Sequence, residues 1–337
     1  MAMFTWDRIA ALRLPSCRLR VLSQNWIDSK RIHGMKVGMK GSRETIQYPS
    51  GHSFRVLRWE KSLSDVECVL APGKVERIAG VGTRWHFHVE MELTLFTSGN
   101  GTRFVGDHIG NFVAGDLVLL GEKLPHYWHT QGASRGISVQ WHFPVTHPFW
   151  TFPENLALVE FFKSAGRGLR FSGETAAEIS LLMQQLTKCQ GVEQLATLLR
   201  LLARLANAPS GERQFLSLRS FALSAESDYQ PAIAKAVRYL VANFREKINL
   251  DDLLKITRLS RSTFARQFKI HSGHSFSEFV NRLRAQATCR ELRESDRAVM
   301  DIALNCGFTH VSFFNRLFRR LHGCSPTEYR EQKQRAK

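Results

Sequence analysis

The pattern of hydrophobic and polar positions divides the chain into a strand-like first half and a helical second half. From about Phe54 to Phe143, short apolar runs such as 92–96 and 116–120 are separated by turns rich in Gly, Asn and Asp. Many short strands with closely spaced turns indicate an all-β barrel or sandwich. After His147 the apolar positions recur at helical spacing. We therefore predict an α+β protein of two domains, a β-barrel with flanking helices followed by an all-α domain.

Two amphipathic helices are predicted directly after the barrel, over 176–189 and 192–206. The second helix has a broad apolar stripe that consists of Leu195, Leu198, Leu199, Leu202 and Leu205. A stripe of this size is normally covered in the folded protein. We expect it to pair with its twin in a homodimer, and the alternative is that it covers the barrel.

The last third of the chain contains two predicted helix-turn-helix units. The first consists of helices over 250–257 and 260–269, with Ser260 as the N-cap of the second helix. The second unit has its helices over 299–306 and 311–321. The helix predicted between the units would be about 27 Å long at 1.5 Å per residue. Because successive major-groove faces lie about 34 Å apart, such a spacer could bring both units to adjacent turns of one duplex.

Both helices of the second unit have an apolar back. The inward positions are Ile302, Ala303, Cys306, Phe314, Leu317 and Phe318. The outward face of the second helix carries amide and guanidinium groups instead, at Ser312, Asn315, Arg316 and Arg319. A helix with an apolar back and such a front is what base reading in the major groove requires.

The charge of the chain is concentrated in the same region. The net charge is +17, and residues 232–337 carry 21 Lys and Arg against 10 Asp and Glu, whereas residues 46–231 carry 17 of each kind. Clustered positive charge favours a polyanion as the partner. The six cysteines form no C-x-x-C pair, which argues against a zinc finger and fits a reducing cytoplasm. No apolar run reaches the roughly 18–20 residues that span a bilayer, so no membrane partner is expected.

We divide the chain into five segments on these patterns. Residues 1–45 are predicted to be a basic extension, either disordered or an over-extended start whose true initiator is Met35 or Met39. The sensor barrel follows at 46–150 and a helical dimerisation or connector region at 151–207. The linker is placed at 208–231, with the joint near 224–230, and the helix-turn-helix domain at 232–333.

Residues 232–333 resemble the DNA-binding domain of the AraC/XylS family of bacterial transcription regulators. The resemblance is carried by Ile302-Ala303-x3-Gly307-Phe308-x3-Ser312-x-Phe314-x-Arg316-x-Phe318-x4-Gly323-x2-Pro326-x2-Tyr329-Arg330. It implies double-stranded promoter DNA and RNA polymerase as partners. By position, the implied base-reading residues are Ser262, Ala265, Arg266, Val311, Ser312, Asn315 and Arg316. Phosphate contacts are expected from Arg261, Lys269, Arg319 and Arg320.

The first unit departs from the family pattern at two places. Leu254 stands where a small alanine is usual, and Arg258 replaces the glycine of the turn. Both changes imply looser or re-angled packing. We therefore expect sequence discrimination to depend more on Arg316 than on Arg266.

The barrel region carries the string Gly80-x5-His86-x-His88-x3-Glu92-x6-Gly99, followed by Gly115-Asp116 and His126. This string resembles the signature motifs of the cupin superfamily, whose small β-barrels are also called jelly-rolls. His86 and His88 alternate along a strand and Glu92 shares their parity, so the three would share one face. Together with His126 they could present three imidazoles and a carboxylate to a divalent metal.

The second cupin motif is degraded, with Gly121, Lys123 and Thr130 at positions where proline, glycine and asparagine are usual. Three possibilities stay open: a metal site, a small-molecule pocket without metal, and polar residues with a structural role. The candidate pocket residues are Trp85, His86, His88, Glu92, His126, Trp128 and Trp141. The resemblance to arabinose-type regulators implies a sugar or a similar small polar metabolite as the effector, with no cofactor required.

The leading hypothesis is a bacterial, cytoplasmic and nucleoid-associated transcription activator that is not an enzyme. Its barrel would bind an effector, its middle helices would pair the protomers, and its last domain would bind DNA. One alternative is a metal-dependent cupin enzyme, an isomerase or dioxygenase, with an accessory DNA-binding module. Another is an architectural DNA-binding protein that senses nothing.

Overall fold

The computed structural model of the protein describes residues 46–221, 223 and 228–334. The expected N-terminal extension at 1–45 and most of the joint near 224–230 lie outside the described residues. The first domain contains nine strands in succession: β1 (Phe54–Ser62), β2 (Asp65–Ala71), β3 (Lys74–Ala79), β4 (Met91–Ser98), β5 (Gly101–Val105), β6 (His108–Phe112), β7 (Leu117–Leu120), β8 (His126–Thr130) and β9 (Arg135–Trp141). The strand-like region is therefore confirmed from its first residue.

The strands form two antiparallel sheets. Two strands that the sequence analysis missed, β10 (Leu169–Phe171) and β11 (Arg213–Phe215), extend the larger sheet at one edge. The order of the larger sheet is β11-β10-β7-β4-β9-β1-β2-β3, and that of the smaller sheet is β6-β5-β8. The two sheets pack face to face, since the ring of Phe96 lies 4.3 Å from that of Phe112 and 5.2 Å from that of Trp128.

Three helices cover the outer face of the larger sheet: α1 (Leu158–Ser164), α2 (Gly173–Leu186) and α3 (Gly191–Ala206). The side chains of Leu198 and Leu202 on α3 are fully buried in this layer, in one core with Leu93 and Leu119 of the sheet. The leucine stripe thus covers the sheet of its own chain, so the prediction that Leu198 and Leu202 face a twin helix is wrong. Leu195 and Leu199, at 39% and 37% exposure, lie at the margin of the stripe.

The last domain is helical throughout, as predicted. Its helices are α4 (Gln230–Asn243), α5 (Leu250–Thr257), α6 (Arg261–Ser272), α7 (Phe276–Glu294), α8 (Val299–Asn305), α9 (Val311–His322) and α10 (Pro326–Gln334). The backs of α8 and α9, including Ile302, Phe314 and Phe318, are buried in a core formed within this domain. Ser260 caps α6 by accepting a hydrogen bond from the backbone N–H of Thr263, as expected.

The first helix-turn-helix unit shares its core with the first domain. Phe264 and Phe268 of α6 and Phe279 of α7 lie in one apolar cluster with Trp85 and Phe104 of the sheet-rich domain. The described part of the chain contains no helix long and apolar enough to cross a membrane.

Candidate DNA-reading face and sensor cavity

The predicted reading positions of α6 lie together on its outward face. Arg261, Ser262, Ala265, Arg266 and Lys269 are all exposed, whereas Phe264 and Phe268 on the opposite side are buried. Arg261 also forms an ion pair with Asp251 of α5, at 3.3 Å between Nη2 and Oδ1. Asp251 lies in the first turn of α5, the first helix of the same unit. A phosphate that binds Arg261 must therefore compete with this carboxylate.

The second reading helix shows the same division between its faces. Ser312, Asn315, Arg316, Arg319 and Arg320 are exposed and Val311 is half-buried. An open groove of about 660 Å³ runs beside them and ends at Ser325, Pro326 and Thr327, at the start of α10. The groove brings the hydroxyls of Ser325 and Thr327 next to the arginines, and sequence reasoning did not include these residues.

The two reading helices are joined by a continuous helical spacer. The 19 residues of α7 span about 28 Å at 1.5 Å per residue, close to the expected length. The turn of the first unit places Arg258 in the left-handed conformation, at a φ of 57°. A left-handed residue is what a glycine usually supplies at a helix C-terminus, so the turn keeps its shape despite the arginine.

A cavity opens between the two sheets of the first domain. Its volume is about 40 Å³, which corresponds to a few water molecules, since one water needs about 10–15 Å³ by this measure. Arg55, His86, Glu92, Ser138 and Gln140 form the polar part of its wall. The apolar part includes Leu57, Trp59, Leu63, Val66, Ile78 and Trp128.

The three predicted histidines converge beside this cavity. His86, His88 and His126 are buried, and each offers a ring nitrogen within 4.8 Å of the others. The carboxylate of Glu92 completes the group, with its Oε2 atom 3.1 Å from His88 Nε2 and 3.9 Å from His126 Nε2. The three expected imidazoles therefore converge, and the expected carboxylate lies next to two of them.

The continuous strand expected over 86–92 is interrupted. His86 makes only an isolated antiparallel bridge with His126, and the chain bends at Val89 and Glu90 before β4 begins. A backbone carbonyl stabilises the bend, because Glu90 O lies 3.0 Å from His88 Nδ1. The histidines therefore meet because of a bend and a bridge. The prediction grouped these histidines correctly, but alternation along a continuous strand is not what brings them together.

The hydrogen bonds of the rings determine which nitrogen faces the site. His86 Nδ1 lies 2.7 Å from Arg84 O, and His126 Nδ1 lies 2.8 Å from Leu124 O. A carbonyl can only accept, so each Nδ1 donates its proton and each neutral ring has its lone pair on Nε2. Burial lowers the pKa of His86 to about 4 and that of His126 to about 3, so both rings are neutral at pH 7. Neutral imidazole held by a backbone carbonyl is the form that binds metals.

Glu92 is held in place by a polar network that the sequence analysis missed. Its carboxylate accepts hydrogen bonds from Thr94 Oγ1 at 2.5 Å and from Gln140 Nε2 at 2.6 Å, and Gln140 Oε1 accepts from Arg55 Nε at 2.5 Å. Burial is the largest single influence and acts to raise the pKa of Glu92. The hydrogen bond with His88, the charges of His126 and His88 and the hydrogen bond from Thr94 together outweigh it and hold the pKa well below its usual range. Gln140 and Arg55 lie far from Glu92 in sequence, so only the folded sheet reveals their part in the network.

The tryptophans predicted to line the pocket divide among three places. Trp128 lines the cavity, and its buried Nε1 has no hydrogen-bond partner within the described ranges. Trp85 lies in the apolar cluster shared with the helix-turn-helix domain, and Trp141 lies in the core beneath the helices. Neither of these two residues contributes to the wall of the cavity.

A pair of helix-turn-helix units with outward arginines defines a DNA-binding domain, and comparison with known proteins agrees. Residues 253–332 match the family model described as a helix-turn-helix domain. RhaS, a transcriptional activator of Pectobacterium carotovorum subsp. carotovorum, is 28% identical over 265 residues, which cover 73% of this chain and 87% of RhaS. PocR, a regulatory protein of Salmonella typhimurium, is 35% identical over 98 residues, which cover 29% of this chain and 32% of PocR.

Solved structures also resemble the chain. The DNA-binding domain of AdpA in complex with a target DNA is 27% identical, with a TM-score of 0.30, and the match covers 32% of this chain and 96% of that one. ToxT from Vibrio cholerae O395 is 13% identical, with a TM-score of 0.32, and the match covers 82% and 97%. The family match shows a helix-turn-helix domain at residues 253–332, and the two matched relatives carry the names of transcription regulators. They agree with the expectation of a protein that is not an enzyme.

Proposed function

We propose that the protein is a transcription activator that binds promoter DNA and responds to a small molecule held in its first domain. The observation that carries the proposal is the pair of reading helices, each with arginines outward and phenylalanines inward. The names of the relatives, a transcriptional activator and a regulatory protein, support the same role. A cytoplasmic, nucleoid-associated location and contact with RNA polymerase belong to the proposal.

The DNA-binding part is tested by selecting duplexes from a random-sequence pool with the full chain at low salt. We expect a preferred site with two half-sites about one helical turn apart, because α7 separates the reading helices by roughly that distance. The control variant is Arg77→Ala, which also removes an exposed arginine. Arg77 lies on β3, far from the reading helices in sequence, and 78% of its side chain is exposed. Binding without any enriched site would favour an architectural protein instead.

The effector is proposed to be a small polar molecule of the sugar class, bound in a cupin-like barrel. The polar wall of the cavity and the buried Nε1 of Trp128 support a ligand with hydrogen-bonding groups. Pockets for such ligands usually have volumes of about 300–1,000 Å³, so the 40 Å³ cavity would have to widen. The segment around Gly80–Gly82, which forms part of the cavity wall, is the proposed opening.

A divalent metal ion is the second proposed ligand, at the histidine cluster beside the cavity, because three ring nitrogens already lie within 4.8 Å of one another there. His86, His88 and His126 with Glu92 would hold it, and neutral Nε2 atoms are the donors that Zn²⁺ and Co²⁺ bind readily. Titration with Co²⁺, followed by its visible absorption, tests this site. We expect one equivalent to bind the full chain and none to bind His126→Ala at the same concentration. Identical titrations of both proteins would remove the metal from the proposal.

A homodimer is also part of the proposal, with a revised surface. The residues of α3 that remain exposed are Val192, Leu195 and Leu199, at 84%, 39% and 37%. Exposed apolar residues on one helix suit pairing with a second copy. The mass of the protein in solution, measured by light scattering, checks this.

A further inference from the structure

His86 and His126 form a small two-stranded bridge that lies between the cavity and the DNA-binding domain. The bridge has two backbone hydrogen bonds, from His86 N to His126 O at 3.1 Å and from His126 N to His86 O at 2.9 Å. Adjacent residues of extended chain point to opposite sides. The imidazoles join the metal-ligand cluster, and the neighbouring side chains of Trp85 and Tyr127 lie in the apolar cluster shared with the DNA-binding domain.

The side chains behind the bridge form a group of four aromatic rings, which we call the aromatic relay: Trp85, Phe104, Tyr127 and Phe279. Phe104 stacks on Tyr127 at 5.0 Å and on Phe279 at 5.8 Å between ring centroids. Trp85 meets Phe279 edge to face at 6.4 Å. Phe279 belongs to α7, so the relay ends on the helix that joins the two reading units.

The backbone supports the same connection. Trp85 O accepts a hydrogen bond from Gln230 Nε2 at the first residue of α4, at 3.4 Å. On the other side of the relay, Asn111 Nδ2 donates to Gln286 O of α7 at 2.9 Å. A displacement of residues 85–86 would therefore act on α4 through the hydrogen bond with Gln230 and on α7 through the contact of Trp85 with Phe279.

Metal binding would supply such a displacement. A tetrahedral ion with bonds of about 2.1 Å keeps its ligand atoms about 3.4 Å apart, whereas the ring nitrogens here lie within 4.8 Å of one another. Filling the site would move the ring nitrogens toward this common spacing. Because packed cores have discrete arrangements and do not deform smoothly, small shifts of this kind can be amplified at an interface.

We infer that the aromatic relay couples occupancy of the histidine site to the arrangement of the DNA-binding domain. The inference rests on the proposed function for the role of the histidine site as a sensor. What it adds is the physical coupling between that site and the DNA-binding domain. Trp85 is then a positioning residue that transmits a movement of His86, and its predicted contact with the effector is not needed. A coupling between two sites is expected to change affinity by about fivefold or more.

The test compares the full chain with Phe279→Leu, which keeps an apolar side chain but removes the ring contacts with Trp85 and Phe104. Hydrogen–deuterium exchange of residues 276–290 is measured with and without Co²⁺, and the affinity for a selected duplex is measured in parallel. We expect Co²⁺ to change the exchange rates of the native chain and its DNA affinity by at least about fivefold. Phe279→Leu should bind Co²⁺ but show ratios within about twofold.

The matched control is Phe308→Leu, the same change in the core of the second unit, which contains no residue of the first domain. It should keep the native response to Co²⁺. A native response in Phe279→Leu, or a native chain whose α7 ignores bound Co²⁺, would overturn the inference. So would a chain that binds no Co²⁺ at the histidines. A chain that binds no duplex but keeps the exchange response would instead contradict the proposed function.

Discussion

Arg258 and Gly307 both adopt the left-handed conformation in the turns of the two helix-turn-helix units, with φ values of 57° and 91°. Their surroundings differ. Arg258 is exposed, whereas a Cβ atom on Gly307 would lie 2.6 Å from Arg245 O and 2.9 Å from Phe244 O. The first turn therefore tolerates a side chain that the second turn cannot accommodate.

Substitution by alanine should consequently have different effects at the two turns. Gly307→Ala is expected to lower the free energy of unfolding by about 2–4 kcal/mol, because it adds backbone strain and a clash with two carbonyls. Arg258→Ala should change it by less than about 0.5 kcal/mol, since a Cβ atom is already present. Chemical denaturation of both variants measures the difference. Equal losses would mean that the two turns are not distinguished by packing.

The order of importance of the two reading arginines can be tested by DNA affinity. Arg316→Ala is expected to reduce discrimination between the selected site and a mutated site by about 1–3 kcal/mol, and Arg266→Ala by less. The reason is that the half-buried Leu254 stands where a small alanine usually allows close packing of the first unit. Competition binding with single-base variants of the site provides the measurement. An equal loss in both variants would contradict this order.

Two neighbouring leucines of α3 separate core packing from dimer formation. Leu202→Ala should cost about 2–5 kcal/mol of stability, because the side chain is fully buried and its removal leaves a cavity. Leu199→Ala should cost much less than that, and it should weaken the dimer if the exposed face of α3 pairs with a second copy. Denaturation and light scattering on both variants check the two effects. A fully stable Leu202→Ala variant would show that the stripe does not cover the sheet.

His108 should make the protein less stable in acid. Burial first, and then the charges of Arg103, Arg282 and Arg170, lower the pKa of His108 to about 3, below its ordinary value of 6.5. The unfolded chain binds the proton more readily, so this contribution to stability is complete above pH 6.5 and is lost as the pH falls toward 3. Between pH 7 and pH 5 the loss is about 1–2 kcal/mol.

The measurement for this prediction is the unfolding free energy at pH 7 and pH 5 for the native chain and His108→Gln. The variant should lose about 1–2 kcal/mol less than the native chain over this range. His271 is a second histidine whose pKa burial lowers, to about 4. The same substitution at His271 therefore serves as the comparison. A native slope that His108→Gln leaves unchanged would assign the acid sensitivity to other groups.

The helices were largely predictable from the sequence because their signals are local. Ser260 marks the start of α6, and the spacing of Phe264 and Phe268 repeats at Phe314 and Phe318, so both reading faces could be assigned. The strands at Leu169–Phe171 and Arg213–Phe215 were missed because three residues are too few to show alternation. Their strand conformation comes from pairing with β7 and with each other.

The candidate site was predictable in its ligands and not in its surroundings. His86, His88, Glu92 and His126 follow a recognisable spacing, but Arg55 and Gln140 are joined to them only by the register of β1, β4 and β9. The place of Trp85 was misjudged for a related reason. A tryptophan beside a ligand histidine suggests a pocket wall, and only tertiary packing shows that its ring points to another domain.

Shared packing between the sheet-rich domain and the first helix-turn-helix unit limits how freely this protein could be recombined. Removal of the first 220 or so residues would leave Phe279 without Trp85 and Phe104, its ring contacts in the first domain, whereas α8 and α9 would keep their interior. Grafting the reading helices onto a different sensor would therefore require the new sensor to bring a matching set of rings. The second helix-turn-helix unit keeps its own core and could be transferred to another protein, whereas the first unit depends on the sheet-rich domain.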